Sequence, residues 1–260
     1  MLNASELYTT SVCYVLTTQR CHTDTDCLWG MLKMALFNTG LTAVNNFDFR
    51  LQHPFSCMVS GPSNSGKTYF VKMLIMYADH VICNKINNIV YIYNCWQPLY
   101  DDLLKMRPIN FIQGIPKALD DDVLLPVSKN NLLIIDDVMK DASSNDQVEK
   151  AFTQYVHHRN LSVIYLVQNL FFQGKSSRTI SLNTNYLILF KNVRDNNQVA
   201  ILARQMYPGN TKYFMECFKD ATEKPHGYLM VDYKTKTPES FRLRTDLLAA
   251  HPVVYIQKKG

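Results

Sequence analysis

Glycine is scarce in this sequence, nine residues in 260. That scarcity excludes collagen-like and glycine-rich linker architectures, and it means that any glycine cluster has a local reason. Long apolar runs are missing as well. None approaches the roughly 18 to 20 residues needed to span a bilayer, and the N-terminus lacks the basic start and apolar stretch of a signal peptide, so a soluble intracellular protein without a membrane span is expected. No internal repeat or low-complexity block appears. A hydrophobic content of 47% is that of a chain with a packed core.

The seven cysteines, at 13, 21, 27, 57, 83, 95 and 217, are odd in number and scattered, which fits reduced thiols better than a disulfide framework. Cys13, Cys21, His22 and Cys27 are the densest group, but their spacing does not give the paired knuckle of a structural zinc site. Charge is nearly balanced, +5 from 27 basic and 22 acidic residues. Such an excess permits contact with nucleic acid without naming a partner.

Up to about Asn46 the chain is polar and threonine-rich, with one weakly amphipathic stretch from Leu28 to Phe37, and Met31 and Met34 are alternative starts. From Phe47 the pattern becomes regular. Phe55–Ser60 reads as a short buried parallel strand that ends in a turn, and Thr68–Ala78 carries Phe70, Leu74, Tyr77 and Ala78 at helical spacing. Further strands are read at Asn88–Tyr93, Ile109–Ile112, Asn131–Asp136, Leu161–Val167 and Tyr186–Phe190. Ser144 and Gln147 resemble a capping box for a helix carrying Val148, Phe152, Tyr155 and Val156. Gln173–Thr184 reads as a polar, basic loop. Strands alternating with helices predict an α/β fold with a mainly parallel central sheet flanked by helices.

Two of the nine glycines fall in one eight-residue window, Gly61, Pro62, Ser63, Asn64, Ser65, Gly66, Lys67 and Thr68, which satisfies G-x-x-x-x-G-K-[ST]. The window follows a predicted strand and opens a predicted helix, the context the motif requires. Gly61 and Gly66 let the backbone turn so that successive amide N–H groups converge on phosphate oxygens, helped by the positive end of the helix dipole. Lys67 would reach the β- and γ-phosphates of a nucleotide such as ATP, and the Thr68 hydroxyl would take a place on Mg²⁺.

A phosphate loop needs a carboxylate to hold the metal. Leu132–Asp137 supplies two, emerging at the C-terminal end of an apolar strand, where open α/β sheets bind ligands. Asp136 is the Mg²⁺ partner through water; Asp137 is placed to polarise an attacking water. An acidic residue in that second role marks the NTPases with an additional strand between the loop strand and the Asp strand. Lys67 and Asp136 are 69 positions apart, with Asn88–Tyr93 in the interval. Gln168, ending the strand Leu161–Val167, is placed to sense the γ-phosphate. Arg178 in the basic loop is the favoured finger for a neighbouring subunit's site, ahead of Arg159 and Arg194, and the same loop could track a DNA backbone. His157, His158, Trp96 and the tyrosines read as ordinary helix-end, core and edge residues.

These residues carry a resemblance. Phe47–Phe55, the loop Gly61–Thr68, Leu132–Asp137, Val163–Asn169, Arg178–Asp195, Tyr228–Asp232 and Phe241–Thr245 resemble the poxvirus-type genome-packaging ATPases of the FtsK–HerA superfamily, nearest to those of Maverick/Polinton elements and adintoviruses. The resemblance runs from about Phe47 to Asp246. It implies a P-loop ATPase domain over 47–250, between an extension (1–46) and a tail (251–260). It further implies a hexameric or pentameric ring that hydrolyses ATP with Mg²⁺ and drives double-stranded DNA into a capsid. Capsid portal or vertex proteins would be partners, and the site of action would be virion assembly in the nucleus or cytoplasm, or the virion itself. By motif Lys67 and Thr68 serve phosphate and metal, Asp136 the metal, Asp137 the water, Gln168 the sensor and Arg178 the finger in trans. The family usually has Asp-Glu where this chain has Asp136-Asp137, so Asp137 reaches about 1.5 Å less far. Two other readings stay open. A small-molecule kinase would depend on a small acceptor and act as a monomer or dimer; an ATP-binding scaffold would bind DNA or assembly partners without turnover.

Overall fold

The computed structural model describes residues 12–16, 47–136, 142–171, 175–249 and 252–257. Asp137, Cys21, His22, Cys27 and the stretch Leu28–Phe37 lie outside the described residues. Two compact units form: one from Arg50 to Gln198, the other from Val199 onward together with residues before Arg50. Strand β1 (Val12–Leu16) belongs to the second.

In the first unit, β2 (Ser56–Ser60) leads through the glycine-containing turn into helix α1 (Lys67–Met76), whose Phe70, Val71, Leu74 and Ile75 are buried. A short α2 (Ala78–Val81), β3 (Asn88–Tyr93), α3 (Pro98–Met106), β4 (Asn110–Gln113) and β5 (Asn131–Asp136) follow. Helix α4 (Ala142–Lys150) continues through a π-helical turn, Ala151–Tyr155, and a last turn, Val156–His158. The unit closes with β6 (Leu161–Val167), α5 (Lys175–Leu182) and β7 (Tyr186–Phe190).

Its six strands pair in the order β7-β2-β6-β5-β3-β4, every pair parallel. Parallel strands linked by helical crossovers are covered on both faces, so they read as continuous apolar runs. All residues of β2, β5, β6 and β7 are buried. The additional strand is present, but the one between β2 and β5 in space is β6, whereas β3, which intervenes in sequence, pairs on the other side of β5.

Two local expectations change. The stretch read as a loop from Gln173 to Thr184 contains α5, which buries Ile180 while leaving Arg178 and Leu182 exposed. Ile180 is its described buried anchor and the helix packs against α4 and the π-helical turn, and the serine and threonine content hid it. Helix α4 runs from Ala142, so Ser144 lies within it rather than ahead of it. Gln147 is turned to tertiary contacts, its Oε1 accepting from Leu119 N at 3.5 Å and from the Tyr155 hydroxyl at 3.4 Å.

The second unit is antiparallel. It contains α6 (Asn197–Met206, with the unit boundary inside it), α7 (Thr211–Ala221), β8 (Tyr228–Asp232), β9 (Leu243–Thr245) and β10 (Val253–Gln257). β10 pairs with both β1 and β9, and β9 pairs with β8. Asn210 caps α7, its side chain accepting from Tyr213 N at 3.3 Å. The Tyr213 hydroxyl donates to Tyr255 O at 2.8 Å and the Tyr255 hydroxyl to Asp220 Oδ2 at 2.7 Å, tying α7 to β10 twice. Phe47, Phe49 and Phe241 pack with ring centroids 4.8 to 5.5 Å apart. Beside them the buried Arg244 guanidinium pairs with Asp232, donates to Phe49 O at 3.2 Å and lies over the Phe49 ring.

Candidate functional site

The glycine-containing turn leaves β2 at the C-terminal edge of the parallel sheet, where strand order places ligands in α/β folds. Its conformation is set by two residues in the left-handed region, Asn64 at φ 63° and Gly66 at φ 106°. Asparagine tolerates that region and glycine meets no penalty there. Ser65 N–H donates to Pro62 O at 3.3 Å, and Phe70 N–H reaches Gly66 O at 2.8 Å as α1 begins. Gly61 is required for a different reason, close approach: a Cβ at this position would lie 2.7 Å from both Phe190 Cβ and Ser65 Oγ. Gly61 N–H donates to Val167 O at 3.2 Å, so the turn is fastened to β6 as well as packed on the end of β7. Ser63 and Asn64 are exposed at its tip, and Pro62 and Ser65 are half-buried.

Lys67 and Thr68 sit in the first turn of α1. The Lys67 ammonium donates to Gly61 O at 2.6 Å and Pro62 O at 2.9 Å, folding back along the turn it follows. Thr68 Oγ1 faces Asp136 Oδ2 at 3.4 Å, bringing together two residues 68 apart in sequence. Asp136 is only 6% exposed. Its Oδ2 accepts from the Tyr91 hydroxyl at 2.8 Å and from the Tyr100 hydroxyl at 3.0 Å. Burial, and then the Asp136 charge, push both phenols well above the ordinary tyrosine range, so both stay protonated donors.

The Thr68 hydroxyl and the Asp136 carboxylate are hard oxygen groups beside a phosphate-binding turn, a set that suits Mg²⁺, which takes one or two protein oxygens and keeps much of its water. Among the described residues no group of three His, Cys, Asp or Glu converges.

Gln168 is exposed and directly follows Val167, whose carbonyl holds Gly61, so the sheet delivers it beside the turn. Arg178 is exposed on α5, and among the described contacts none joins it to Lys67, Thr68 or Asp136. Arg159 ends the helical stretch after α4, pairing with Asp122 and donating to Leu125 O at 3.5 Å; Arg194 is exposed. Cys57, Cys83, Cys95 and Cys217 carry free thiols. No helix among the described residues is long and apolar enough to cross a membrane.

Sequence reasoning passed over Tyr91, Tyr100 and Phe190. Tyr91 becomes legible once β3 and β5 are known to be neighbours. It pairs in register with Ile134, two residues before Asp136, and so shares Asp136's face of the sheet. Tyr100 reaches the site from a helix, and Phe190 from the end of β7; neither carries a mark of this in sequence.

No protein-family model matches the chain, and no curated protein matches it. Solved structures do resemble it. The genome packaging NTPase B204 from Sulfolobus turreted icosahedral virus 2, in complex with ATP-gammaS, is 16% identical over 70% of this chain and 94% of that one, with a TM-score of 0.43. The flagellar accessory protein FlaH from Methanocaldococcus jannaschii is 14% identical over 56% and 76%, with a TM-score of 0.38. The Legionella pneumophila ATPase DotB is 15% identical over 73% and 57%, with a TM-score of 0.32.

Proposed function

We propose that this chain is the subunit of an ATP-driven motor that moves double-stranded DNA into a capsid. The observation that carries the reading is the meeting of Thr68, next to Lys67 on the first turn of α1, with Asp136 at the end of β5, Thr68 Oγ1 being 3.4 Å from Asp136 Oδ2. The motif resemblance extends it from ATP use to DNA packaging.

The backbone of Gly61–Gly66 binds the phosphates of ATP through its N–H groups at the positive end of α1. Lys67 exchanges its two carbonyl partners for phosphate oxygens and stabilises the charge that spreads over them during transfer. Thr68 and Asp136 are the residues that would hold Mg²⁺, which would supply neutralisation of the charge developing on the phosphates. Gln168 orients the attacking water, Asp137 takes its proton, and Arg178 of one subunit completes the site of the next. Lysine and arginine side chains facing the ring's pore grip DNA phosphates without reading bases, so a modest net charge of +5 suffices for each subunit. The motor works with capsid portal or vertex proteins where virions assemble.

The test is ATP hydrolysis by the intact chain with and without long duplex DNA, together with its mass in solution. DNA should stimulate hydrolysis, the assembly should weigh several times the 30.0 kDa protomer, and Lys67→Ala should stop turnover. Asp137→Asn and Arg178→Ala should each slow it. Hydrolysis indifferent to DNA, with Arg178→Ala turning over normally, overturns the motor. Activity that needs a small acceptor makes the chain a kinase, and full hydrolysis by Lys67→Ala removes the phosphate-loop assignment itself.

A further inference from the structure

Two tyrosine hydroxyls from different elements converge on one carboxylate oxygen. Tyr91 on β3 and Tyr100 on α3 both donate to Asp136 Oδ2, the oxygen that faces Thr68. The two phenols are the close donors, at 2.8 and 3.0 Å, and the Thr68 hydroxyl stands farther off at 3.4 Å from the same oxygen.

The rings behind these hydroxyls are packed in place. Tyr91 and Tyr100 lie with centroids 4.9 Å apart, and Phe111 packs on both, at 5.1 and 5.3 Å. Tyr93 and Trp96 close on Tyr100 at 5.7 and 5.4 Å. Neither phenol can swing away without breaking this cluster. Helix α3 is in turn pinned to α1, since Lys72 Nζ lies 2.6 Å from Asp102 Oδ2. The helix that delivers Tyr100 to Asp136 is therefore tied to the helix that carries Thr68.

We propose that Tyr91 and Tyr100 are positioning residues that fix Asp136 and keep its Thr68-facing oxygen engaged, so that a divalent ion meets this carboxylate through the ion's own water. Such a site favours Mg²⁺, which dehydrates reluctantly, over Ca²⁺, which takes carboxylate oxygens directly. A lone hydrogen bond would hold the carboxylate at one point and leave it free to rotate; two donors from a strand and a helix define its plane. The inference rests on the nucleotide-hydrolysis reading and adds to it the residues that set metal preference.

The experiment is binding of a fluorescent ATP analogue to the intact chain, titrated with Mg²⁺ or with Ca²⁺, for the native protein, Tyr91→Phe, Tyr100→Phe and the double variant. Phenylalanine keeps each ring and removes only the donor. In the double variant the half-saturating Mg²⁺ concentration should rise about tenfold, and the preference for Mg²⁺ over Ca²⁺ should narrow, since a hydrogen bond to a charged group commonly has that weight. Metal-free analogue binding should stay unchanged while KM for ATP at a fixed, limiting Mg²⁺ concentration rises, a split that loss of packing alone would not produce. If the double variant loses its thermal transition, Tyr100→Phe decides by the same titration. A native chain that binds the analogue with Mg²⁺, beside a folded double variant of identical metal dependence, sinks the clamp alone. A native chain that binds no nucleotide sinks the functional reading and the clamp with it.

Discussion

The parallel and antiparallel units each bury a carboxylate, and they treat it in opposite ways. Asp232, at the end of β8, is 2% exposed and paired with the equally buried Arg244 guanidinium, which also donates to Phe49 O. Asp136, at the end of β5, is held by hydroxyls from Tyr91, Tyr100 and Thr68. A guanidinium beside a carboxylate in a dry interior is a finished pair, with opposite charges compensated by each other and by hydrogen bonds. Hydroxyl donors orient a carboxylate and leave its charge to act on something else. The antiparallel unit spends its buried charge on its own architecture; the parallel unit keeps it for the site.

That contrast can be broken most forcefully at Arg244. Arg244→Met strands Asp232 in a buried setting and should lower unfolding free energy by about 3–5 kcal/mol, read as a shift in denaturation midpoint. Adding Asp232→Leu should recover most of the loss, because replacing both partners removes the uncompensated charge. A single variant as stable as the native chain would mean the pair is no closed unit.

Next in size is Lys67→Ala, which should cut hydrolysis at least about 100-fold, roughly 2.7 kcal/mol of transition-state stabilisation, and leave the denaturation midpoint nearly unmoved. Gly61→Ala puts a methyl 2.7 Å from Phe190 Cβ, and should destabilise by about 1–3 kcal/mol while weakening nucleotide binding. Smallest in stability is Asp136→Asn. It keeps a carbonyl acceptor for the tyrosines, so unfolding free energy should change by less than about 1 kcal/mol while the Mg²⁺ dependence of nucleotide binding is lost. If Asp136→Asn destabilises as strongly as Asp232→Asn, the two carboxylates are alike and the comparison fails.

The same division governs what the sequence made readable. Strands Asn88–Tyr93, Asn131–Asp136, Leu161–Val167 and Tyr186–Phe190 are observed with the bounds their apolar runs predict, because burial on both faces leaves an unbroken signal. The phosphate turn was legible because its chemistry is local: Gly61 through Thr68 are contiguous. Strand order was not, since nothing in sequence says that β6 rather than β3 lies between β2 and β5. Helix α5 hid behind serines and threonines, with Ile180 as its described buried anchor, and α3, although Pro98 stands in its first turn, buries only Tyr100 and Leu103, too few for a repeating apolar stripe. Tyr100 illustrates the limit at the site. Its donor reaches Asp136 across 36 positions, a meeting made by tertiary packing and unmarked by any spacing.

Gly61 is mounted at three points: by the chain to β2, by its N–H to Val167 at the end of β6, and by the space a side chain would need to Phe190 at the end of β7. Three adjacent beams of one sheet thus share a single joint, and a joint braced from three directions cannot shift without bending one of them. Gln168 springs from the β6 beam immediately past its fastening and Lys191 from the β7 beam immediately past Phe190, so both flanking segments take their origin from the same rigid corner as the phosphate turn.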